Sequence, residues 1–228
     1  MVAGSIPPGQ PHADLRARLT QATAGLGLNL SESTLDRMLR YLALLQRWNK
    51  VYNLTAVRDP MSMIDRHLVD CLAALPAVQR FANQRPASPR ILDVGSGGGL
   101  PGVVWAIAEP DWRVTCIDAS AKKASFIRQA AVELSLRNLE AVHGRVEAMQ
   151  AEQACDLICS RAFASLGDFT ALSRSSLAPD GVWLAMKGLP PTALELRRLS
   201  DEVEMFHVEQ VTVPGLDAQR CLVWMRRR

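Results

Sequence analysis

The chain has 228 residues, 48% of them hydrophobic, with a net charge of +3, which suits one α/β domain with an extension or two small domains. Its pI near 8.7 permits a nucleic-acid partner without demanding one. No apolar run reaches the ~18 residues that span a bilayer, and Met1–Gln10 has neither a basic start nor an apolar core, so no membrane span is expected and the N-terminus does not read as a secretory signal.

Residues 1–13 are rich in Pro and Gly and read as a flexible extension. Residues 14–89 form an N-terminal helical segment. Leu15 and Leu19, then Leu35, Met38, Leu39, Leu42 and Leu45, recur at steps of three and four. Ser31 or Ser33 suits the N-cap of the second helix. Asp59-Pro60 marks a loop before a helix holding Ile64, His67, Leu68 and Leu72, and Asn83–Pro89 reads as a linker.

From residue 90 to 228 the pattern changes to strand, turn, helix. Strands are expected at Ile91–Val94, Val114–Asp118, Leu139–His143, Asp156–Ser160 and Val182–Met186. Helices are expected to start near Pro101, Ala121, Val146, Asp168 and Pro191. This alternation predicts an α/β fold with a mostly parallel sheet covered on both faces. The tail differs: Val203–Val213 and Cys221–Met225, separated by Pro214-Gly215, predict an antiparallel hairpin at one edge of the sheet. That ending is typical of the methyltransferase version of the Rossmann-like fold.

The densest signal is Arg90–Gly102, R-I-L-D-V-G-S-G-G-G-L-P-G. It reads as a strand, a glycine turn and a helix start, which is a cofactor site at the C-terminal end of a parallel strand. Gly97-x-Gly99-x-x-Gly102 satisfies a dinucleotide fingerprint, with Asp118 placed for a ribose. The competing ligand is S-adenosylmethionine, used as a methyl donor. Asp93 at the strand end suits its cationic amino and sulfonium groups. Beside a pyrophosphate the same carboxylate would be repelled, by ~1 kcal/mol or more at close range. The methyl donor is therefore preferred.

Other strand ends supply polar groups to the same crevice. Asp118 can accept bonds from ribose hydroxyls. Gly144–Glu147 can meet the adenine, with Val146 on its face. Arg161 and Lys187 close the fourth and fifth strands. A guanidinium at the end of an apolar strand needs a partner or an open cleft. No Asn/Asp-Pro-Pro-aromatic run follows the fourth strand, and Cys155 and Cys159 read as strand-interior thiols, so the acceptor needs no covalent help. The five cysteines, Cys71, Cys116, Cys155, Cys159 and Cys221, are scattered and odd in number. They predict reduced core thiols in a cytoplasmic protein. The histidines lack metal-ligand spacing, and no metal is expected.

Several segments together resemble the RsmG (GidB) family, bacterial 16S rRNA guanine-N7 methyltransferases. They are Arg47-Trp48-Asn49-Lys50-Val51-Tyr52-Asn53-Leu54-Thr55, Arg66-His67-Leu68-Val69-Asp70, Asp93–Gly102, Ser160-Arg161-Ala162-Phe163-Ala164-Ser165, Lys187-Gly188 and Val213–Asp217. The resemblance covers nearly everything after about residue 35. It implies a class I methyltransferase fold and a donor site from Gly95, Gly97, Leu100, Val146, Glu147 and Arg161, with Asp93 at the turn and Asp118 near the ribose. It further implies transfer to N7 of a single guanine in 16S rRNA, naked or in an assembling 30S subunit, by a cytoplasmic protein expected to be monomeric. Arg161, Lys187, Arg145, Lys122 and Lys123 are candidates to position the RNA. Two departures are Gly98, where many relatives carry proline or alanine, and Cys71, where they often carry serine. The alternative acceptor is a small molecule or a protein.

Overall fold

A computed structural model describes residues 10–149, 154–161, 163 and 165–228. Helix α1 (Gln10–Gly25) begins four residues before the helical pattern was expected, and residues 1–9 of the expected flexible extension lie outside the described residues. Helix α2 (Glu32–Tyr52) is capped by Ser31, whose Oγ accepts from Thr34 N at 3.2 Å. Asn53, left-handed at φ 51°, ends it. Asp59 caps the next helical run, α3 (Pro60–Met63), a π-helical turn (Ile64–Val69), α4 (Asp70–Ala73) and α5 (Leu75–Ala82).

The α/β part follows as β1 (Arg90–Val94), α6 (Gly102–Ala108), β2 (Arg113–Asp118), α7 (Ala121–Glu133), β3 (Leu139–His143), a single 3-10 turn (Val146–Ala148) and β4 (Cys155–Ser160). Then come α8 (Leu166–Ser173), β5 (Leu177–Lys187), α9 (Ala193–Arg197), β6 (Val203–Val211) and β7 (Arg220–Arg227). Among the described residues the strands form one sheet in the order β3-β2-β1-β4-β5-β7-β6. β1 to β5 are parallel, and β7 runs antiparallel to both β5 and β6. The expected edge hairpin is thus present. The helix expected at Val146 is reduced to the 3-10 turn, and residues 150–153 after it lie outside the described residues.

Strand alternation divides the core into two layers. Ile91, Cys116, Leu157 and Leu184 point toward α6, α7 and the N-terminal helices. Leu92, Ile117, Ile158 and Trp183 point toward α8. The N-terminal helices are part of the first layer: Leu42 and Leu45 of α2 and Leu68 and Leu72 pack in one cluster with Val103, Trp105 and Phe126. Trp105 Nε1 donates to Cys71 O at 3.0 Å across this contact. The segment read as a linker is also tied down, because the Arg85 guanidinium pairs with Asp156 at 2.8 Å and Asp180 at 3.0 Å. All five cysteines are free and buried.

Candidate active site at the head of the sheet

The glycine turn leaves β1 where three backbones take left-handed conformations, at Gly95 (φ 67°), Gly97 (φ 60°) and Gly99 (φ 86°). A Cβ built on Gly95 would meet nothing within 4 Å. The space there is open, and a ligand can approach the main chain directly. Gly102 is glycine for the opposite reason. A Cβ there would lie 2.4 Å from Cys116 Sγ and 3.0 Å from Asp93 Oδ2. α2 supports the turn from behind, where the Tyr41 hydroxyl donates to Gly98 O at 2.5 Å.

Asp118 faces the turn from the end of β2. Its Oδ2 accepts from Gly97 N at 2.9 Å and its Oδ1 from Ser120 N at 2.8 Å, with Lys123 Nζ 3.8 Å from Oδ2. Ser120, not Asp118, is the N-cap of α7. An ionised carboxylate has about four acceptor positions, so Asp118 keeps lone pairs for further donors after latching the turn. Beyond it, Gly144 N donates to Asp118 O at 3.1 Å, Val146 is buried, and Arg145 pairs with Glu147 at 3.7 Å on the surface.

The expectation for Asp93 is contact with a cationic ligand at the end of β1. Alternation places it on the α6 side of the sheet with Ile91, and it is fully buried. Its Oδ2 accepts from Gly102 N at 2.8 Å, while Oδ1 is buried without a partner. Burial pushes its pKa up to about 7, against the lowering effects of Gly102 N and Arg161. A carboxyl whose folded pKa is raised favours the fold fully below its unfolded value near 4, and that contribution is lost as pH rises through about 7. Relative to Asp93→Asn, the wild-type stability is therefore expected to fall by roughly 3 kcal/mol between pH 4 and pH 8. Denaturant unfolding of both proteins across this range checks it, and a constant difference would refute the assignment.

Arg161 continues the register of Leu157 and Cys159 and so faces the N-terminal helices. There it meets Asp70 Oδ2 at 3.2 Å and donates to Arg66 O at 2.9 Å. Arg220 Nε holds the other Asp70 oxygen at 2.6 Å. His67 lies beside this group, with Nε2 2.9 Å from Thr55 Oγ1. Burial, then the Arg161 charge, push its pKa down to about 4, so its imidazole is neutral at pH 7. Lys187 has the opposite parity, following Trp183 and Ala185, and pairs at 2.6 Å with Glu195 of the capping box that starts α9. Arg161 and Lys187 nevertheless border one cavity of about 520 Å³ at the ends of β4 and β5, together with Phe163 and Ser165. Lys122 is turned elsewhere, its Nζ 5.8 Å from the Tyr52 ring centre. Asp70, Arg220, His67 and Tyr41 carry no role in the sequence reading. The apolar strand before Arg161 calls for a partner or an open cleft; Asp70 of the Arg66–Asp70 segment is the partner, and Arg161 borders the cavity as well.

The strand order, the edge hairpin and the glycine turn latched to a second-strand carboxylate define a class I methyltransferase fold. A family model described as rRNA small subunit methyltransferase G (GidB) matches residues 34–223. The chain belongs to this family. It is 55% identical over 214 residues to ribosomal RNA small subunit methyltransferase G of Acidovorax sp. (strain JS42), covering 91% of this chain and 93% of that relative. The relative of the same description from Polaromonas naphthalenivorans (strain CJ2) is 53% identical, with 93% and 96% covered. Among solved structures, a SAM-dependent methyltransferase from Thiobacillus denitrificans in complex with S-adenosyl-L-homocysteine shares the fold. Its TM-score is 0.52 at 15% identity, over 79% of this chain and 96% of that one.

Proposed function

We propose that this chain transfers the methyl group of S-adenosylmethionine to N7 of one guanine in small-subunit ribosomal RNA, in the cytoplasm. The observation that carries the reading is the family match across residues 34–223, which includes the open glycine turn and Asp118. The donor, when bound, supplies an electrophilic methyl group on a sulfonium.

Guanine N7 has a lone pair and no proton, so the reaction asks for no general base. What remains is alignment and exclusion of water. Gly95 and Gly97 give a ligand room against the main chain, and the free lone pairs of Asp118 suit ribose hydroxyls. Leu100 and Val146 offer buried apolar walls, with Glu147 at the rim for the adenosine end. The partnerless Oδ1 of Asp93 is an acceptor just beneath the turn for the cationic end.

On the acceptor side, the Phe163 ring, 5.6 Å from that of Phe169, is a platform on which a flipped guanine can stack. Arg161 and Lys187 border the same cavity and have donors left after pairing with Asp70 and Glu195. Those donors suit the guanine O6 or a flanking phosphate. Arg145 and Lys123 lie on the donor side of the cleft and extend its basic rim.

The test is incubation of the purified chain with methyl-labelled donor and either 30S subunits or naked 16S rRNA, followed by mapping of the label. One guanine labelled at N7, revealed by cleavage after borohydride and aniline, is the expected result. Absence of label from both substrates would refute the reading.

A further inference from the structure

The second half of α2 and the chain beyond it enclose a separate cavity of about 470 Å³ that the methyl-transfer site does not use. Arg47, Lys50 and Arg58 supply its charge, and its other walls include Gln46, Asn49, Pro60 and Met63; among the described residues no acid lines it. All three cations are exposed. Among the described residues none of them has an ion pair, unlike Arg16, Arg80, Arg85 and Arg226, which pair with acids. The neighbouring acid, Asp59, is committed to capping α3 through Ser62 N at 2.7 Å. Gln46 adds an independent sign: its Nε2 is buried without an acceptor. A buried donor left unmatched is costly, and an oxygen entering the cavity would relieve it.

The chemistry fits a phosphate group. Two guanidiniums and one ammonium converge with an amide donor, and among the described residues no aromatic ring lines the cavity to stack a base. The cavity is also held firmly to the cleft. α2 carries Arg47 and Lys50, and the same helix fastens the glycine turn through Tyr41. The chain leading to Arg58 is pinned where Asn49 Oδ1 accepts from Thr55 N at 2.8 Å and where Thr55 meets His67. His67 is one helical turn from Asp70, the partner of Arg161. A phosphate gripped here is thus in a set position relative to both the donor turn and Arg161.

We infer that Arg47, Lys50 and Arg58 form a phosphate site that holds the RNA backbone away from the target guanine and sets its register on the cleft; this rests on the RNA-methylation reading above. Phosphate contacts of this kind position a substrate without reading its sequence.

The experiment measures binding of a 16S rRNA transcript to the full chain across a salt series, with wild-type methylation of the transcript and of 30S subunits measured alongside. In Lys50→Glu/Arg58→Glu, affinity at low salt is expected to fall at least about tenfold, and the slope of log affinity against log salt to drop by about one to two. The control Arg137→Glu/Arg228→Glu makes the same charge change before β3 and after β7, at the end of the sheet opposite the cleft, and should shift affinity less than about threefold. Gln46→Met keeps the charge, and removing one hydrogen bond should weaken binding roughly threefold. Thermal midpoint and S-adenosylmethionine affinity should stay at wild-type values in Lys50→Glu/Arg58→Glu. If wild type methylates the transcript or 30S subunits but the cavity variants bind the transcript no worse than the control, the phosphate site is refuted and the proposed function stands. If wild type methylates neither substrate, the underlying reading fails instead.

Discussion

Asp70→Ala is expected to lower stability by about 2–3 kcal/mol and to remove most RNA methylation. Asp70 has 6% of its side chain exposed and bridges Arg161 and Arg220. Without it, two guanidiniums face each other in a partly desolvated space. Removing one partner of a fully buried pair costs about 3–5 kcal/mol. Arg161 and Arg220 keep 24% and 29% of their side chains exposed, and solvent screening brings the expectation below that range. The activity loss has a separate cause, because Arg161 loses the partner that aims it beside the β4 cavity. Urea unfolding and single-turnover methylation measure the two effects. A stability change under about 0.5 kcal/mol, the scale of an exposed pair, would show that the triad contributes little.

Asp118→Ala is expected to weaken S-adenosylmethionine binding by at least about a hundredfold. Two hydrogen bonds from ribose hydroxyls to a carboxylate are together worth about 3–6 kcal/mol. The substitution also leaves Gly97 N and Ser120 N without their acceptor, so the turn loosens as well. Asp118→Asn keeps one acceptor oxygen and should fall between the two. Titration calorimetry reads all three proteins, and a loss smaller than about fivefold in Asp118→Ala would move the ribose contact to another residue.

The parts of the fold that follow a local period were legible. The five parallel strands fall where apolar runs end in polar residues, and Pro214-Gly215 marked the gap in the edge hairpin. The helix expected at Val146 appears as a 3-10 turn that ends at Met149, extended at ψ 114°, and residues 150–153 lie outside the described residues. The site was half legible. The glycine turn and Asp118 are local and lie on adjacent strands. Asp93 was recognised, but its burial follows from which sheet face it points to, and that depends on α6 covering the face. The position of Arg161 calls for a partner or an open cleft, and the partner was not legible as a residue because Asp70 lies on a helix 91 positions earlier in the chain. Packing crosses residue 89, where the local pattern changes: Leu42 and Leu68 share one cluster with Val103 and Phe126.

That shared packing sets the size of the smallest working unit. A fragment starting at Arg90 would lose Tyr41 from the back of the glycine turn, lose Asp70 from Arg161, and leave Val103, Trp105 and Phe126 facing water. The first third of the polypeptide is therefore scaffold for the catalytic machinery as much as a candidate RNA contact. A ligand that displaces α2 would disarm the enzyme without ever entering its cofactor pocket.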